Sequence, residues 1–192
     1  KNRRRTAAST LDGRLQGFVI DALRKAVVDL SGQNAQDGAV LTVDNKNGEV
    51  LAYVANAGDL SSAPYVDGIQ ARRQAGSTLK PFLYGSAIEK RIISAASLID
   101  DSPLDIATSR GVYRPENYDK EFRGPVTART ALASSLNIPA VKTLNLVGTE
   151  NFVAQLRSLG FTGLAEPEHY GPSLALGSAD ISLWELVNAY RT

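Results

Sequence analysis

Hydrophobic and polar positions in the first quarter of the chain predict one amphipathic helix followed by a β-hairpin. Apolar residues recur at helical spacing from Leu15 to Leu30, directly after Asp12-Gly13. Two short strand-like runs, 39–44 and 49–54, flank a polar turn that ends in Asn47-Gly48. Asn-Gly is favoured in tight hairpin turns because both residues tolerate a positive φ. We therefore expect an antiparallel pair of strands here.

The pattern then becomes mainly helical. A predicted helix over 77–91 is followed by a long polar connection, 100–125, and a connection of that length is more often functional than accidental. Gly160 suits the left-handed position after a helix end, and Ser182 with Glu185 predicts a capping box. Four segments carry helical spacing after the connection: 127–134, 140–147, 150–159 and 182–190.

These elements predict an α+β domain with an incomplete sheet. The pattern contains one clear hairpin, and a two-stranded hairpin alone rarely forms a stable sheet. A length of 192 residues suits one domain. We expect a linker or N-terminal tail over 1–12, and an N-terminal portion of one domain over 13–192 that lacks the C-terminal strands of its sheet.

Composition excludes several functions. The formal net charge of +1 gives no reason to expect nucleic acid as a partner. The basic run from Lys1 to Arg5 is typical of a solvated tail, with a lipid-facing or interdomain role as the alternative. The absence of cysteine excludes disulfides and thiolate chemistry, and we expect no cofactor and no metal. No apolar run approaches the ~20 residues that span a bilayer, so any membrane contact is expected through segments outside this chain.

The segment from Gly76 to Lys80 places a hydroxyl and an amine at the predicted start of a helix. Residues three apart share a helical face, so the Ser77 hydroxyl and the Lys80 amine can approach each other. Serine needs a base to become nucleophilic, and lysine can be that base if burial lowers its pKa. Free N–H groups in a first helical turn could also stabilise an oxyanion. The alternative is that Ser77 is an N-cap and Lys80 a solvated residue.

A second motif, Ser135-Leu136-Asn137, lies at the break between two predicted helices. Ser-x-x-Lys, a Ser-Asp-Asn motif and Lys-Thr-Gly together characterise serine β-lactamases and penicillin-binding proteins. The Ser135 hydroxyl could relay a proton between Lys80 and a leaving amine. The Asn137 amide could hold Lys80 and a substrate carbonyl together. Alternatively, Ser135 and Asn137 form only a helix-to-helix turn with ordinary capping.

Long segments around these motifs resemble the class A (bifunctional) penicillin-binding proteins. They comprise the nucleophile segment, the loop before the second motif, the second motif in its context and the stretch leading toward a third motif: 73–82, 111–118, 130–140 and 173–190. The chain resembles the transpeptidase domain of this family from about Thr10 onward, and within it most resembles the penicillin-binding protein 1C subgroup.

The resemblance implies a serine transpeptidase, β-lactamase-like fold: a five-stranded antiparallel sheet plus an all-helical lobe, with the active site between them. It implies a D,D-transpeptidase that cross-links peptidoglycan in the cell wall, either in the periplasm or on the outer face of the bacterial cytoplasmic membrane. Ser77 would attack the D-Ala-D-Ala end of a stem peptide, and Ser77 and Asn137 would bind that substrate. Lys80, Ser135 and Asn137 would complete the catalytic set. β-Lactam antibiotics would trap Ser77 as an ester.

The third motif is absent from this sequence. Lys142-Thr143 continues into Leu144 inside an apolar helical run, and Lys46-Asn47-Gly48 is the hairpin turn. The missing Lys-Thr-Gly or Lys-Ser-Gly would supply a cation for the substrate carboxylate, and its strand would supply an oxyanion N–H. We therefore expect this chain alone to be inactive, and a complementary segment or chain to carry the motif.

Other interpretations stay open. A β-lactamase or a D,D-carboxypeptidase would differ in using water as the acceptor, and the lack of a convincing deacylating carboxylate argues against the β-lactamase. A non-catalytic penicillin-binding sensor or a scaffold with a degenerate site is a different class of function. His169, the only histidine, is expected at the surface. We expect packing in the core and the loop for Trp184, Tyr113 and Tyr118. For the two tyrosines, the alternative is that they line the cleft.

Overall fold

A computed structural model describes residues 8–108 and 111–191 of the chain, so the basic run at residues 1–5 lies outside the described residues. Its helices are α1 (Gly13–Asp29), α2 (Lys80–Glu89), α3 (Ala128–Ala133), α4 (Asn137–Val147), α5 (Thr149–Ser158), α6 (Pro167–Tyr170) and α7 (Leu183–Arg191). Its strands are β1 (Val40–Val43), β2 (Val50–Val54), β3 (Arg73–Gln74), β4 (Leu98–Asp101), β5 (Ile106–Thr108), β6 (Gly111–Tyr113), β7 (Gly124–Thr127) and β8 (Asp180–Ile181). Short 3-10 segments lie at Ser31–Gln33, Gly58–Leu60, Gly76–Leu79 and Gly171–Leu176.

The chain divides into two compact units, one formed by residues 8–72 and 182–191 and the other by residues 73–181. In the first unit, α1 packs against β2. The Asp12 carboxylate caps this helix by accepting the N–H groups of Arg14 and Leu15. One face of α1 buries apolar side chains against the hairpin, whereas Phe18, part of the same apolar pattern, is exposed. This small core consists of Val19, Leu23, Val27, Ala52, Val54 and Ala57.

The predicted hairpin is confirmed, because β1 and β2 pair antiparallel. Its turn differs from the tight form expected from Asn-Gly. Gly48 has a φ of +76°, but Asn47 is not in the positive-φ region. The Asp44 N–H instead donates to the Glu49 carbonyl at 2.9 Å, which closes a longer connection. The Asn47 side chain stabilises that connection by accepting the Glu49 N–H at 2.9 Å.

The predicted capping box at the start of α7 is confirmed. The Ser182 N–H donates to Glu185 Oε2 at 2.9 Å, and the Glu185 N–H donates to Ser182 Oγ at 3.1 Å. The two residues thus satisfy each other's N–H groups at the helix start, where the helix itself supplies no acceptor. The predicted helix end at Gly160 is confirmed as well, because Gly160 has a φ of +93° and follows the last residues of α5.

The second unit is built on packing between α2 and α4, with α5 and the 3-10 segment Gly171–Leu176 against them. The interior of these helices is apolar and almost fully buried: Leu83, Ala87, Ile138, Val141, Leu144, Phe152, Val153, Leu156 and Leu174. Burial of these side chains is the main favourable contribution to this packing. Because Lys80 and Asn137 are the first residues of α2 and α4, the same packing determines the position of both.

The connection over 100–125 is more ordered than the sequence indicated. β4 pairs with β7 and β5 pairs with β6, so the part of the chain that is described contains four two-stranded sheets where one hairpin was expected. These strands have two to five residues, too few for an alternating pattern to stand out. The mixture of helices and short antiparallel strands confirms the α+β class.

The residues to which the sequence analysis assigned no catalytic role differ in their solvent exposure. His169 is exposed, as expected. The expectation that Tyr118 and Trp184 pack is wrong, because both are exposed, Tyr118 completely. Within residues 8–108 and 111–191, no helix combines the length and the apolar character needed to cross a membrane.

Candidate active site

Ser77 lies in the 3-10 segment Gly76–Leu79, which runs directly into α2. The expectation that Ser77 occupies the first turn of the α-helix is therefore wrong in detail. A 3-10 helix has three residues per turn, so positions 77 and 80 eclipse each other more closely than on an α-helix. The Lys80 N–H donates to the Ser77 carbonyl, and the Ser77 side chain is exposed. Ser77 is not an N-cap, since Leu79 precedes α2 and no side chain caps that helix.

A close contact between two glycines holds the segment before Ser77. The Gly76 N–H donates to the Gly177 carbonyl at 3.0 Å, next to the paired strands β3 and β8. Gly76 and Gly177 have φ values of +58° and +76°. A Cβ at position 177 would lie 1.9 Å from the Gly76 carbonyl oxygen, so no side chain fits there. The position of the Ser77 turn therefore depends on glycine at 177.

Lys80 is buried, with 1% of its surface exposed, and is not the solvated residue of the alternative interpretation. Its Nζ lies 2.6 Å from the Ser135 carbonyl oxygen, 2.7 Å from Asn137 Oδ1 and 3.2 Å from Ser135 Oγ. All three of these acceptors are uncharged. Burial lowers the pKa of Lys80 from 10.5 to about 8, because a charged ammonium is poorly solvated there.

Ser135 and Asn137 lie at the turn between α3 and α4, as the sequence predicted. Ser135 has a φ of +52°, which is uncommon for a residue other than glycine and is typical of strained functional positions. Leu136 is the N-cap residue of α4 and makes no side-chain cap. The Ser135 hydroxyl and the Asn137 amide reach Lys80 instead of capping a helix.

The three contacts of Lys80 match the three hydrogens of an ammonium group, and two of them can persist when the amine is neutral. A carbonyl oxygen can only accept hydrogen bonds, so Ser135 O and Asn137 Oδ1 each need one hydrogen from Nζ. A neutral amine has two hydrogens and one lone pair. Ser135 Oγ is the only one of the three partners that can both donate and accept. When Lys80 is neutral, its two hydrogens can stay on the two carbonyl oxygens, and its lone pair can accept a proton from a neighbouring hydroxyl, that of Ser77 or of Ser135.

The structure brings Lys80, Ser135 and Asn137 into one hydrogen-bonded group and places Ser77 one 3-10 turn before Lys80. A further residue, Asn117, joins this group, and the sequence interpretation missed it as a site residue. Its Oδ1 accepts the Asn137 N–H at 2.8 Å. Asn117 lies in the segment 111–118, which the family resemblance had already marked. A single amide in a loop has no spacing pattern that would have indicated its role.

An α+β chain in which a buried lysine joins Ser-x-x-Lys to Ser-x-Asn has the features of penicillin-recognising serine proteins. Comparison with known families agrees: residues 38–192 match the family described as the penicillin binding protein transpeptidase domain. The chain belongs to this family. The class A resemblance is confirmed by its similarity to curated relatives of that kind.

Two curated relatives illustrate the similarity. The chain is 38% identical over 156 residues to penicillin-binding protein 1C of Escherichia coli (strain K12). The aligned region covers 79% of this chain and 20% of the relative. It is 32% identical over 158 residues to penicillin-binding protein 1A of Pseudomonas aeruginosa. That aligned region covers 81% of this chain and 19% of the relative. The chain thus spans about a fifth of the length of these relatives.

Solved structures show the same fold. Penicillin-binding protein 1A from Haemophilus influenzae superposes with a TM-score of 0.71 and 28% identity, over 81% of this chain and 23% of that one. PonA1 from Mycobacterium tuberculosis, in complex with penicillin V, superposes with a TM-score of 0.78 and 24% identity, over 97% of this chain and 50% of that one. At that identity the second comparison supports the fold alone.

Proposed function

We propose that this chain carries the acylation centre of a D,D-transpeptidase. Ser77 Oγ attacks the carbonyl carbon of the penultimate D-Ala in a stem peptide, and its proton passes to Lys80. The C–N bond to the last D-Ala then breaks, and the leaving amine takes a proton through Ser135. The resulting Ser77 ester is attacked by an amine of a neighbouring stem peptide, which forms the cross-link and restores the Ser77 hydroxyl.

The observation that carries this proposal is the environment of Lys80. A base must be neutral near working pH, and burial lowers the pKa of Lys80 to about 8. Its amine lies within hydrogen-bond distance of the Ser135 hydroxyl, at 3.2 Å. A solvated surface lysine would have neither property. Lys80 and Ser135 therefore form the route for the two proton transfers.

A substrate-binding role for Asn137 is supported by its amide. The Asn137 Nδ2 donates to the Glu116 carbonyl at 2.7 Å, and Oδ1 accepts from Lys80 at 2.7 Å. An amide nitrogen carries two hydrogens, so a second one is available for a substrate carbonyl. The same side chain can thus hold the base and the substrate. Ser77, with its exposed hydroxyl, is the other proposed contact.

The wider setting is also a proposal. We place residues 13–192 in the N-terminal portion of the transpeptidase domain, after a linker or tail at 1–12. A complementary segment would supply Lys-Thr-Gly or Lys-Ser-Gly, which does not follow Asn137 in this sequence. The site would face the periplasm, or the outer side of the cytoplasmic membrane, where stem peptides and β-lactams are encountered.

Labelling of the full-length protein with a fluorescent penicillin tests the acylation centre. We expect Ser77→Ala to abolish the label and Ser86→Ala to retain it. Ser86 is a matched control because its Oγ is buried in α2 without a hydrogen-bond partner, so its removal costs little. Label that survives Ser77→Ala would contradict the proposal. The 192-residue chain alone should not label if a complementary segment is required.

A second candidate is a penicillin-binding sensor or scaffold, which would share the acylation but not the turnover. Conversion of stem peptides into cross-linked dimers separates the two, because a sensor acylates without forming product. Release of D-Ala without dimer formation would indicate a carboxypeptidase. The absence of labelling of the full-length protein would leave only the scaffold.

A further inference from the structure

Two buried polar side chains lie behind Asn137 and take no part in the chemistry proposed above. Asp101 is 0% exposed at the end of β4, and Asn117 is 3% exposed in the segment that follows β6. The Asn117 Nδ2 donates to both Asp101 carboxylate oxygens, at 2.9 Å each. Burying a carboxylate is unfavourable unless hydrogen bonds or an opposite charge compensate for the lost hydration.

The contacts of Asn117 fix the orientation of its amide. Its nitrogen faces the Asp101 carboxylate and also donates to the Glu121 carbonyl at 2.8 Å. Its oxygen faces the Asn137 N–H at 2.8 Å. The first two partners only accept and the third only donates, so turning the amide over would place like groups together at every contact.

Asp101 is anchored independently of Asn117. It lies at the end of the β4–β7 pair, opposite Gly124, and its Oδ2 accepts the Arg123 N–H at 3.1 Å. The carboxylate therefore has a fixed position in a sheet. Asn117 binds this carboxylate and also the N–H of the first residue of α4, so it links the two. The Asn137 N–H is one of the donors at a helix start that have no partner within the helix.

The Asn137 side chain is held from the same segment. Its Nδ2 donates to the carbonyl of Glu116, next to Asn117 in the chain. With the nitrogen bound there, the amide oxygen must face Lys80, where it accepts at 2.7 Å. Backbone and side chain of Asn137 are thus both fixed by residues 116 and 117.

We propose that Asp101 and Asn117 are positioning residues that hold Asn137 in register with Lys80. This inference rests on the proposed acylation centre and adds to it the structural source of its geometry. Without the Asn117 side chain, the Asn137 N–H loses its acceptor, and the first residue of α4 is no longer linked to Asp101. A misplacement of about 1 Å in a catalytic group can cost on the order of 100-fold in rate.

The test uses the full-length protein and the second-order rate of acylation by a fluorescent penicillin. We expect Asn117→Ala to lower this rate at least about tenfold. The rate is measured at a temperature well below the unfolding temperature of the variant. Asp101→Asn keeps the shape but turns one acceptor into a donor, and should lower the rate in the same direction. It serves as the second variant if Asn117→Ala does not fold.

Asn151→Ala is the matched control. Asn151 is an exposed asparagine of the same unit whose side chain donates to the Val147 carbonyl at 2.8 Å, at the other end of α4. This variant should lose stability while its acylation rate stays within about twofold of the unaltered protein. A second readout is the pH–rate midpoint, which should move downward in Asn117→Ala because the Lys80 ammonium loses an acceptor.

The outcomes separate the two proposals. Failure of the unaltered protein to label overturns the acylation centre, and this inference with it. Normal labelling of both the unaltered protein and Asn117→Ala overturns only the positioning role. A rate loss that merely follows the loss of stability, as in Asn151→Ala, with an unchanged pH midpoint, also overturns it.

Discussion

The Lys80 amine donates to the Asn137 side-chain oxygen across 2.7 Å, although 57 positions separate them in the sequence. The contact forms because each residue begins a helix, and α2 and α4 pack against each other along an apolar face. Two helix starts that meet bring backbone N–H groups and partial positive charge to one place. Such a place favours a developing oxyanion, and burial disfavours the protonated form of the Lys80 amine.

Acylation by penicillin is expected to speed up as the pH rises through about 8. Burial lowers the pKa of Lys80 to about 8, and only the neutral amine can accept a proton. The neutral fraction is about a tenth at pH 7 and about nine-tenths at pH 9, so the rate should rise about tenfold between them. The measurement is the second-order labelling rate from pH 6 to 9.5. A rate that stays flat over this range would exclude Lys80 as the titrating base.

Lys80 should also make stability depend on pH. Its folded-state pKa of about 8 lies below the 10.5 of the unfolded chain, so between these values the unfolded state binds more protons. Stability should therefore rise with pH across this window, by about 3 kcal/mol from this one group. Denaturant unfolding at pH 7.5 and 10, which covers most of this window, should show about 2 kcal/mol of the rise. Lys80→Met should lack it, and an equal rise in that variant would show another origin.

The Ser135 hydroxyl can be tested separately from the fold by Ser135→Gly. Ser135 has a φ of +52°, which glycine adopts without strain, so we expect stability to be kept or raised by up to about 1 kcal/mol. Loss of the hydroxyl should lower acylation by about 100-fold if it relays protons. The control is Ser134→Ala, an exposed serine in the same turn, which should leave both unchanged. Full acylation in Ser135→Gly would rule out the relay.

Gly177→Ala should disrupt the turn that carries Ser77. The new Cβ would lie 1.9 Å from the Gly76 carbonyl oxygen, at a φ of +76°. We expect a loss of more than about 2 kcal/mol in unfolding free energy, together with a loss of penicillin labelling. Gly85→Ala is the control, because a Cβ in this part of α2 meets nothing within 4 Å. That change should stabilise the protein by about 0.5–1 kcal/mol, and a similar loss in both variants would contradict the specific need for glycine at position 177.

The sequence predicted those parts of the fold that repeat a pattern over many residues. α1, the hairpin and the capping box of α7 followed from spacing and from local hydrogen-bonding chemistry. The short strands β4 to β7 did not, because three or four residues within a polar loop show too little alternation. Their pairing depends on contacts between distant parts of the chain.

The candidate site divides in the same way. Ser77, Lys80, Ser135 and Asn137 belong to short motifs whose chemistry can be interpreted from residue type and spacing. Asn117 acts through its burial and through partners 16 and 20 residues away, which a linear pattern does not reveal. The burial that lowers the pKa of Lys80 also comes only from packing.

The most direct test of the acyl-enzyme is the location of the penicillin adduct. The full-length protein would be incubated with penicillin at pH 8, digested, and mapped by mass spectrometry. We expect one adduct, of the mass of the intact antibiotic, on the Ser77 hydroxyl in the peptide that contains Gly76 and Thr78. An adduct on Ser135 or another serine, with Ser77 unmodified, would contradict it.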